Sequence, residues 1–208
     1  MGRHDWYRNT DWNADIEMAF RAKLVRSRDK GQYIRIHASV LTQKRPRIAL
    51  RLLEEYFSLG EHFDLAQAFV DQGNAYRALG EKERAFESYR RAIAREKSHP
   101  KLQTQAYLEL SLMIATEKMA CHYDFALELL KQHATRGKFP VDHFRWYAAR
   151  ALIFSDRGQI ERARQAALSA LSFAEQDHSD VRYHPSIGIV GEDYESVRSN
   201  MNAIIQAR

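Results

Sequence analysis

Residues 69–100 read FVDQGNAYRALGEKERAFESYRRAIAREKSHP, and this stretch decides the fold. Small, aromatic and helix-breaking residues stand where two short antiparallel helices with a tight turn require them: Gly73, Tyr76, Gly80, Ala85, Tyr89, Ala92 and Pro100. A helix pair of this size cannot bury its apolar face alone. The stretch therefore predicts that similar pairs stack on it in an all-α solenoid.

Three further segments show the pattern of a helix, a turn and a second helix. They cover residues 31–60, 101–136 and 142–175, and the middle segment lacks a turn glycine. One alanine recurs in the second helix of every pair, at spacings of 36, 41 and 37 residues: Ala49, Ala85, Ala126 and Ala163. Periods in this range are typical of helical repeats.

Both ends of the chain depart from the repeat. A helix from about Ala14 to Arg28, capped by Asp11 or Asn13, is predicted before the first pair, with Trp6 and Trp12 sealing that end. A last helix is predicted over about 193–206. The expected organisation is a right-handed solenoid with an N-terminal capping segment and helix over 1–30, four helix pairs over 31–175, and an irregular turn and capping helix over 176–208.

The central stretch resembles a tetratricopeptide repeat. Its large residue Phe69, its small residues Gly73 and Ala85, and its aromatic residues Tyr76 and Tyr89 stand at the positions that this motif prefers. The pair at 142–175 fits well, whereas the first pair carries His37 at the small-residue position and Lys44 at the glycine position, and the third pair is degenerate. The whole chain also resembles bacterial proteins that consist of a single such domain.

The resemblance implies a concave groove that holds a peptide or a partner helix. In this family the first helices of successive pairs line the groove. The implied partner-binding positions are Gln67, Val70, Asn74, Arg77, Gln105, Leu108, Leu112, Arg145 and Leu152, with Ile34, Ala38, Leu41 and Ala148 beside them. The carboxylate clamp that some members use on chaperone tails is not expected, because Val70 stands where that clamp needs a lysine.

The net positive charge is concentrated near the N-terminus. Residues 1–60 contain 12 Lys and Arg against 7 Asp and Glu, whereas the remaining residues contain 20 of each. Ten basic residues form a predicted basic patch between residues 21 and 51: Arg21, Lys23, Arg26, Arg28, Lys30, Arg35, Lys44, Arg45, Arg47 and Arg51. Such a patch attracts acidic proteins or nucleic acid, or it is simply a solvated helix face.

No pattern in the sequence indicates catalysis or a cofactor. Phosphate-binding glycine loops and the HExxH motif are absent. A cation site near Asp177, His178, Asp180 and His184 is an alternative that chance placement in a loop explains better. The single Cys121 excludes an intramolecular disulfide, fits a reducing compartment, and is expected to be a buried or partly exposed structural thiol.

These patterns favour a non-enzymatic scaffold or adaptor in the cytoplasm. Neither a secretory signal nor a transmembrane run of about 18 apolar residues is recognisable. The expected ligand is a protein partner, either a peptide or a helix. If this partner is acidic, the basic N-terminal face would steer it. The alternative is a nucleic-acid-associated regulatory subunit that uses the basic patch.

Overall fold

The computed structural model describes residues 5–61, 63–179, 184 and 186–207. Within these residues the secondary structure is helical and contains no strand. Ten α-helices follow one another: α1 (Ala14–Val25), α2 (Lys30–Leu41), α3 (Pro46–Ser58), α4 (Leu65–Ala78), α5 (Lys82–Ser98), α6 (Ala106–Thr116), α7 (Tyr123–Gln132), α8 (Pro140–Asp156), α9 (Ile160–Ala174) and α10 (Glu195–Gln206). Short 3-10 helices lie at Asp5–Tyr7, Ala120–His122 and Glu192–Tyr194.

The chain divides into two compact units, residues 1–106 and 107–208. The first unit contains the pairs α2/α3 and α4/α5, preceded by α1. The second unit contains α7, the pair α8/α9 and α10, and almost all of α6. A predicted domain boundary at residue 30 would fall on the first residue of α2, and one at residue 175 directly after α9.

The core of the first unit follows from the apolar stripes of its helices. Residues of α1, α2 and α3 bury their side chains together: Phe20, Leu24, Ile34, Ala38, Leu41, Ala49, Leu52, Leu53 and Tyr56. Pro46 occupies the first turn of α3, as predicted, where its missing N–H costs no hydrogen bond. The recurring alanines Ala49, Ala85, Ala126 and Ala163 are all buried on second helices, which confirms the repeat spacing.

The pair α4/α5 packs closely because Gly73 has no side chain. A Cβ atom at Gly73 would lie 2.6 Å from Cε1 of Tyr89, so the tyrosine ring rests on the backbone of α4. Gly80 joins the two helices with φ of +74°, the left-handed conformation that glycine adopts without steric cost. At the corresponding turn after α6, Lys118 takes φ of +51° instead.

The N-terminal helix is shorter than predicted. The side chain of Asn13 accepts a hydrogen bond from the Ile16 amide and so caps α1, which confirms one of the two predicted caps. The helix ends at Val25 rather than near Arg28, because Asp29 already caps α2 by accepting from the Gln32 amide. Trp6 and Trp12 precede this helix and are half-buried against it. Their ring centroids lie 5.5 Å and 6.0 Å from that of Phe20.

In the second unit, α10 packs against both α8 and α9. Met201 is fully buried there, and the Tyr194 ring lies 5.6 Å from the Phe144 ring, edge to face. The preceding loop also docks on this unit, because the Gly188 carbonyl accepts a hydrogen bond of 2.8 Å from the Val141 amide. The last predicted helix is thus present, beginning with a 3-10 turn.

Candidate interaction surfaces

One face of α4 remains partly accessible and carries polar side chains. Nine of the fourteen residues of α4 are buried, whereas Gln67, Asn74 and Arg77 are half-buried. Their spacings of seven and three residues place them on one side of the helix. This set of three residues, called the α4 polar face below, belongs to the predicted partner-binding positions.

Two members of the α4 polar face are held in place by hydrogen bonds. The Asn74 Oδ1 atom accepts a 2.7 Å hydrogen bond from the Tyr89 hydroxyl. The Gln67 Nε2 atom donates a 3.1 Å hydrogen bond to Oδ1 of Asp71. Side chains that are fixed in this way lose little conformational entropy when a ligand binds.

A buried carboxylate behind this face links two helix pairs. Asp71 is 1% exposed and receives a 3.1 Å ion pair from Arg35 and a 3.2 Å hydrogen bond from the Ser39 hydroxyl. Burial raises the pKa of Asp71 above its ordinary value, and Arg35 opposes this shift. Sequence reasoning missed Asp71, although an acid within the apolar run of α4 is the kind of signal that marks a partnered buried charge.

The remaining predicted groove positions differ in exposure. Val70, Leu108, Leu112 and Arg145 are at most 5% exposed, Leu152 is half-buried, and Gln105 is exposed. Arg145 forms a 2.7 Å ion pair with Glu109. Partner contact at these positions stays a prediction, and the buried side chains offer a partner little surface.

Little surface is likewise offered by the four positions predicted beside them: Ile34, Ala38, Leu41 and Ala148. All four side chains are at most 1% exposed. For the three residues of α2 the reason is that this helix contacts α1, α3 and α4, so that it is enclosed on several sides.

Part of the predicted basic patch is neutralised within the first unit. Arg21 pairs with Glu55 at 2.6 Å, Arg45 with Asp11 at 2.8 Å, and Arg51 with Glu17 at 2.8 Å. Arg35 pairs with Asp71 and Asp64. The other six side chains are exposed: Lys23, Arg26, Arg28, Lys30, Lys44 and Arg47. The sequence count of charges did not reveal these pairs, because each acid lies about 30 residues or more from its arginine in the chain.

The candidate cation site and the thiol gain no support. His178 and Asp177 form a 2.7 Å contact at an exposed position, while Asp180 lies outside the described residues. The residues that the structure describes contain no cluster of three or more His, Cys, Asp or Glu side chains suited to a metal ion. Cys121 is exposed, which corrects the expectation of a buried or partly exposed thiol.

The described part of the chain has no helix that is long and apolar enough to cross a lipid bilayer.

Successive helix pairs around short turns define the class of α-solenoid proteins. Residues 66–99, which form the pair α4/α5, match the family model of the tetratricopeptide repeat. The pair α4/α5 thus contains a tetratricopeptide repeat, as the resemblance predicted for this stretch. No curated protein and no solved structure matches it.

Proposed function

We propose that the protein is a non-enzymatic interaction module that binds a peptide or a helix of a partner protein at the α4 polar face. Tetratricopeptide repeats generally mediate contacts between proteins, and the match covers this helix pair. The observation that carries the proposal is that Gln67, Asn74 and Arg77 stay partly accessible on a helix that is mostly buried. Polar groups on a rigid element are suited to fixing the orientation of a ligand.

The chemistry of the α4 polar face fits a polypeptide ligand. Because the Asn74 carbonyl accepts from Tyr89, its amide nitrogen remains the donor side and suits a backbone carbonyl of a peptide. Arg77 provides a planar guanidinium that can bind an acidic side chain. Each such hydrogen bond contributes about 1 kcal/mol, so several must act together for useful affinity.

The exposed part of the basic patch would act at a distance. Lys23, Arg26, Arg28, Lys30, Lys44 and Arg47 would attract an acidic partner and raise its association rate more than its final affinity. This effect would weaken with salt, because the Debye length is only about 8 Å at physiological ionic strength.

Affinity capture with a matched set of variants tests the proposal. Asn74→Asp keeps an acceptor for the Tyr89 hydroxyl and removes the donor, so it disturbs packing less than an alanine would. Combined with Arg77→Gln, it should weaken partner capture while leaving the thermal melting temperature nearly unchanged. Arg90→Gln, an exposed position of α5, is the control. Equal capture of the same partners by the double variant and the wild type would remove the α4 polar face from the proposal.

The nucleic-acid alternative has a separate test. Charge reversal at Arg26, Arg28 and Arg47 would abolish a mobility shift of nucleic acid if the basic patch bound phosphates. We expect no shift of the wild type even at about 50 mM salt, where electrostatic binding is strong. A shift that the reversal removes would favour the nucleic-acid function instead.

A further inference from the structure

A cavity of about 650 Å³ lies in the second unit, among side chains of α7, α8 and α9. Its wall contains an aromatic surface made by Trp146 and Phe154 and the apolar side chain of Leu127. The Trp146 indole is fixed because its Nε1 donates a 2.9 Å hydrogen bond to the Leu130 carbonyl. This cavity is distinct from the α4 polar face, which belongs to the first unit.

Two guanidinium groups stand over the aromatic wall. The Arg150 guanidinium lies 4.3 Å from the Trp146 ring centroid and 5.4 Å from that of Phe154. The Arg162 guanidinium lies 4.0 Å from the same Phe154 ring. Two like charges beside one ring repel each other, and an anion bound next to them would relieve that repulsion.

Arg150 is half-buried, and the residues that the structure describes place aromatic rings rather than a carboxylate against it. Burial lowers the pKa of the Arg150 guanidinium below its ordinary value, and the charge of Arg162 acts in the same direction. Arginine nevertheless stays protonated in proteins, so the cavity retains a charge that is poorly compensated.

The acids at the rim of the cavity are engaged with other cations. Asp124 forms a 2.9 Å ion pair with Arg157. Glu128 lies 4.0 Å from the ammonium of Lys131 and accepts a hydrogen bond from Gln132. Arg162 donates a 2.7 Å hydrogen bond to Oε1 of Gln159, a neutral acceptor that leaves the charge of the guanidinium uncompensated. Arg150 and Arg162 therefore remain positive groups that an external anion can bind.

We propose that this cavity binds a glutamate side chain of an acidic segment in a partner protein, with Arg150 and Arg162 as the ligands of its carboxylate. A planar guanidinium matches the geometry of a carboxylate and can donate two parallel hydrogen bonds to it. Because Arg150 is half-buried whereas Asp124 and Glu128 are exposed, the two methylenes of a glutamate can bring its carboxylate to Arg150 while the partner backbone stays outside. Apolar atoms next to that glutamate would pack on Trp146 and Leu127.

The three tryptophans of the chain give a direct test by NMR. Trp146 lines the cavity, while Trp6 and Trp12 lie in the first unit and serve as internal references. The three indole N–H signals of the intact chain are assigned with the single variants Trp6→Phe, Trp12→Phe and Trp146→Phe. The probe is acetyl-Gly-Leu-Glu-Gly-amide, and the neutral comparison peptide has glutamine in place of glutamate.

We expect the glutamate peptide to shift the Trp146 signal saturably and to leave the other two signals in place. Arg150→Gln and Arg162→Gln should each raise the apparent Kd about tenfold or more, since each removes a charge-assisted contact. The matched control is Arg91→Gln, which removes a guanidinium 4.1 Å from the Phe69 ring in the first unit and should leave the titration unchanged. The variants of the α4 polar face should also leave it unchanged, which separates this proposal from the proposed function.

Three outcomes would overturn the assignment. The first is an equal shift with the neutral peptide, which would show that the carboxylate is not recognised. The second is tighter binding of a glutamine peptide with a free terminal carboxylate, or of inorganic phosphate, because either would assign another anion to the cavity. The third is retention of full affinity in both Arg150→Gln and Arg162→Gln, with circular dichroism confirming that the two variants are folded.

Discussion

The pairs α2/α3 and α4/α5 distribute side-chain volume between their two helices in opposite ways. Aligned on Ala49 and Ala85, His37 in the first pair corresponds to Gly73 in the second, and Leu53 corresponds to Tyr89. The second pair sets a bare backbone against a large ring. At the aligned positions, the first pair has a larger residue on one helix, His37, and a smaller one on the other, Leu53. Close packing constrains the total volume at a helix crossing more tightly than the identity of either residue.

The substitution at the first pair also has a role of its own. His37 is fully buried, and its ring lies 4.6 Å from the Phe20 ring and 4.9 Å from the Trp12 ring. Both partners belong to the N-terminal segment that covers the first pair. A departure from the repeat pattern therefore occurs where the neighbour is a capping helix rather than another repeat.

The largest effect is expected from adding one carbon to the second pair. Gly73→Ala would place its Cβ 2.6–2.8 Å from three atoms of the Tyr89 ring. Although alanine is the better helix former, the overlap should lower the free energy of unfolding by about 2–3 kcal/mol. Denaturant unfolding monitored by circular dichroism measures this change.

A second substitution sharpens that comparison. Tyr89→Leu introduces the smaller residue that the first pair has at this position. In the Gly73→Ala background it should restore part of the lost free energy of unfolding, with a coupling energy between the two substitutions of about 1–2 kcal/mol. Gly191→Ala is the control, because no heavy atom lies within 4 Å of its added Cβ. Strictly additive effects of the two substitutions would contradict the exchange of volume between the pairs.

An effect of similar size is expected from pH at the first pair. Burial lowers the pKa of His37 to about 4 from its ordinary 6.5. Between these values the unfolded chain binds a proton that the folded chain does not bind. The contribution of the neutral His37 to the free energy of unfolding is therefore complete above pH 6.5. It decreases by about 2–3 kcal/mol as the pH falls toward 4.

The readout is the difference between the wild type and His37→Leu. The raised pKa of Asp71 acts in the opposite direction, so the slope of the wild type alone mixes several groups. Subtracting the pH profile of the variant leaves the histidine contribution, because Asp71 is present in both proteins. Parallel profiles of the two proteins from pH 7 to 4 would show that His37 accepts a proton readily in the folded state.

The smallest effects concern two turns with the same backbone conformation. Gly80→Ala, at φ of +74°, should destabilise the protein by about 1 kcal/mol, because a Cβ is strained there. Lys118→Gly, at φ of +51°, should instead stabilise it by about 0.5 kcal/mol by relieving that strain. Melting temperatures of the two variants should move in opposite directions, and a shared direction would refute the assignment of strain to Lys118.

The features that the sequence predicted are those set by local steric rules. Gly80, Pro46 and Asn13 determine turns and caps through their own geometry, and the recurring alanines mark where helices approach closely. The interior placement of Ile34 and the pairing of Arg21 with Glu55 depend on helices distant in the chain. The cluster of Arg150 and Arg162 was missed for the same reason, since α8 and α9 bring these residues together only after folding.

The ion pair between Arg35 and Asp71 also has a consequence for how the first unit comes apart. If α2 detached by itself, the buried carboxylate of Asp71 on α4 would lose Arg35 as its cation. Leaving a buried charge unpaired costs far more free energy than breaking an exposed ion pair. Peeling the terminal repeat away is thereby discouraged. Amide hydrogens of α2 and α4 should then exchange through one shared opening event, so that an array whose repeats touch only their neighbours melts here as a block.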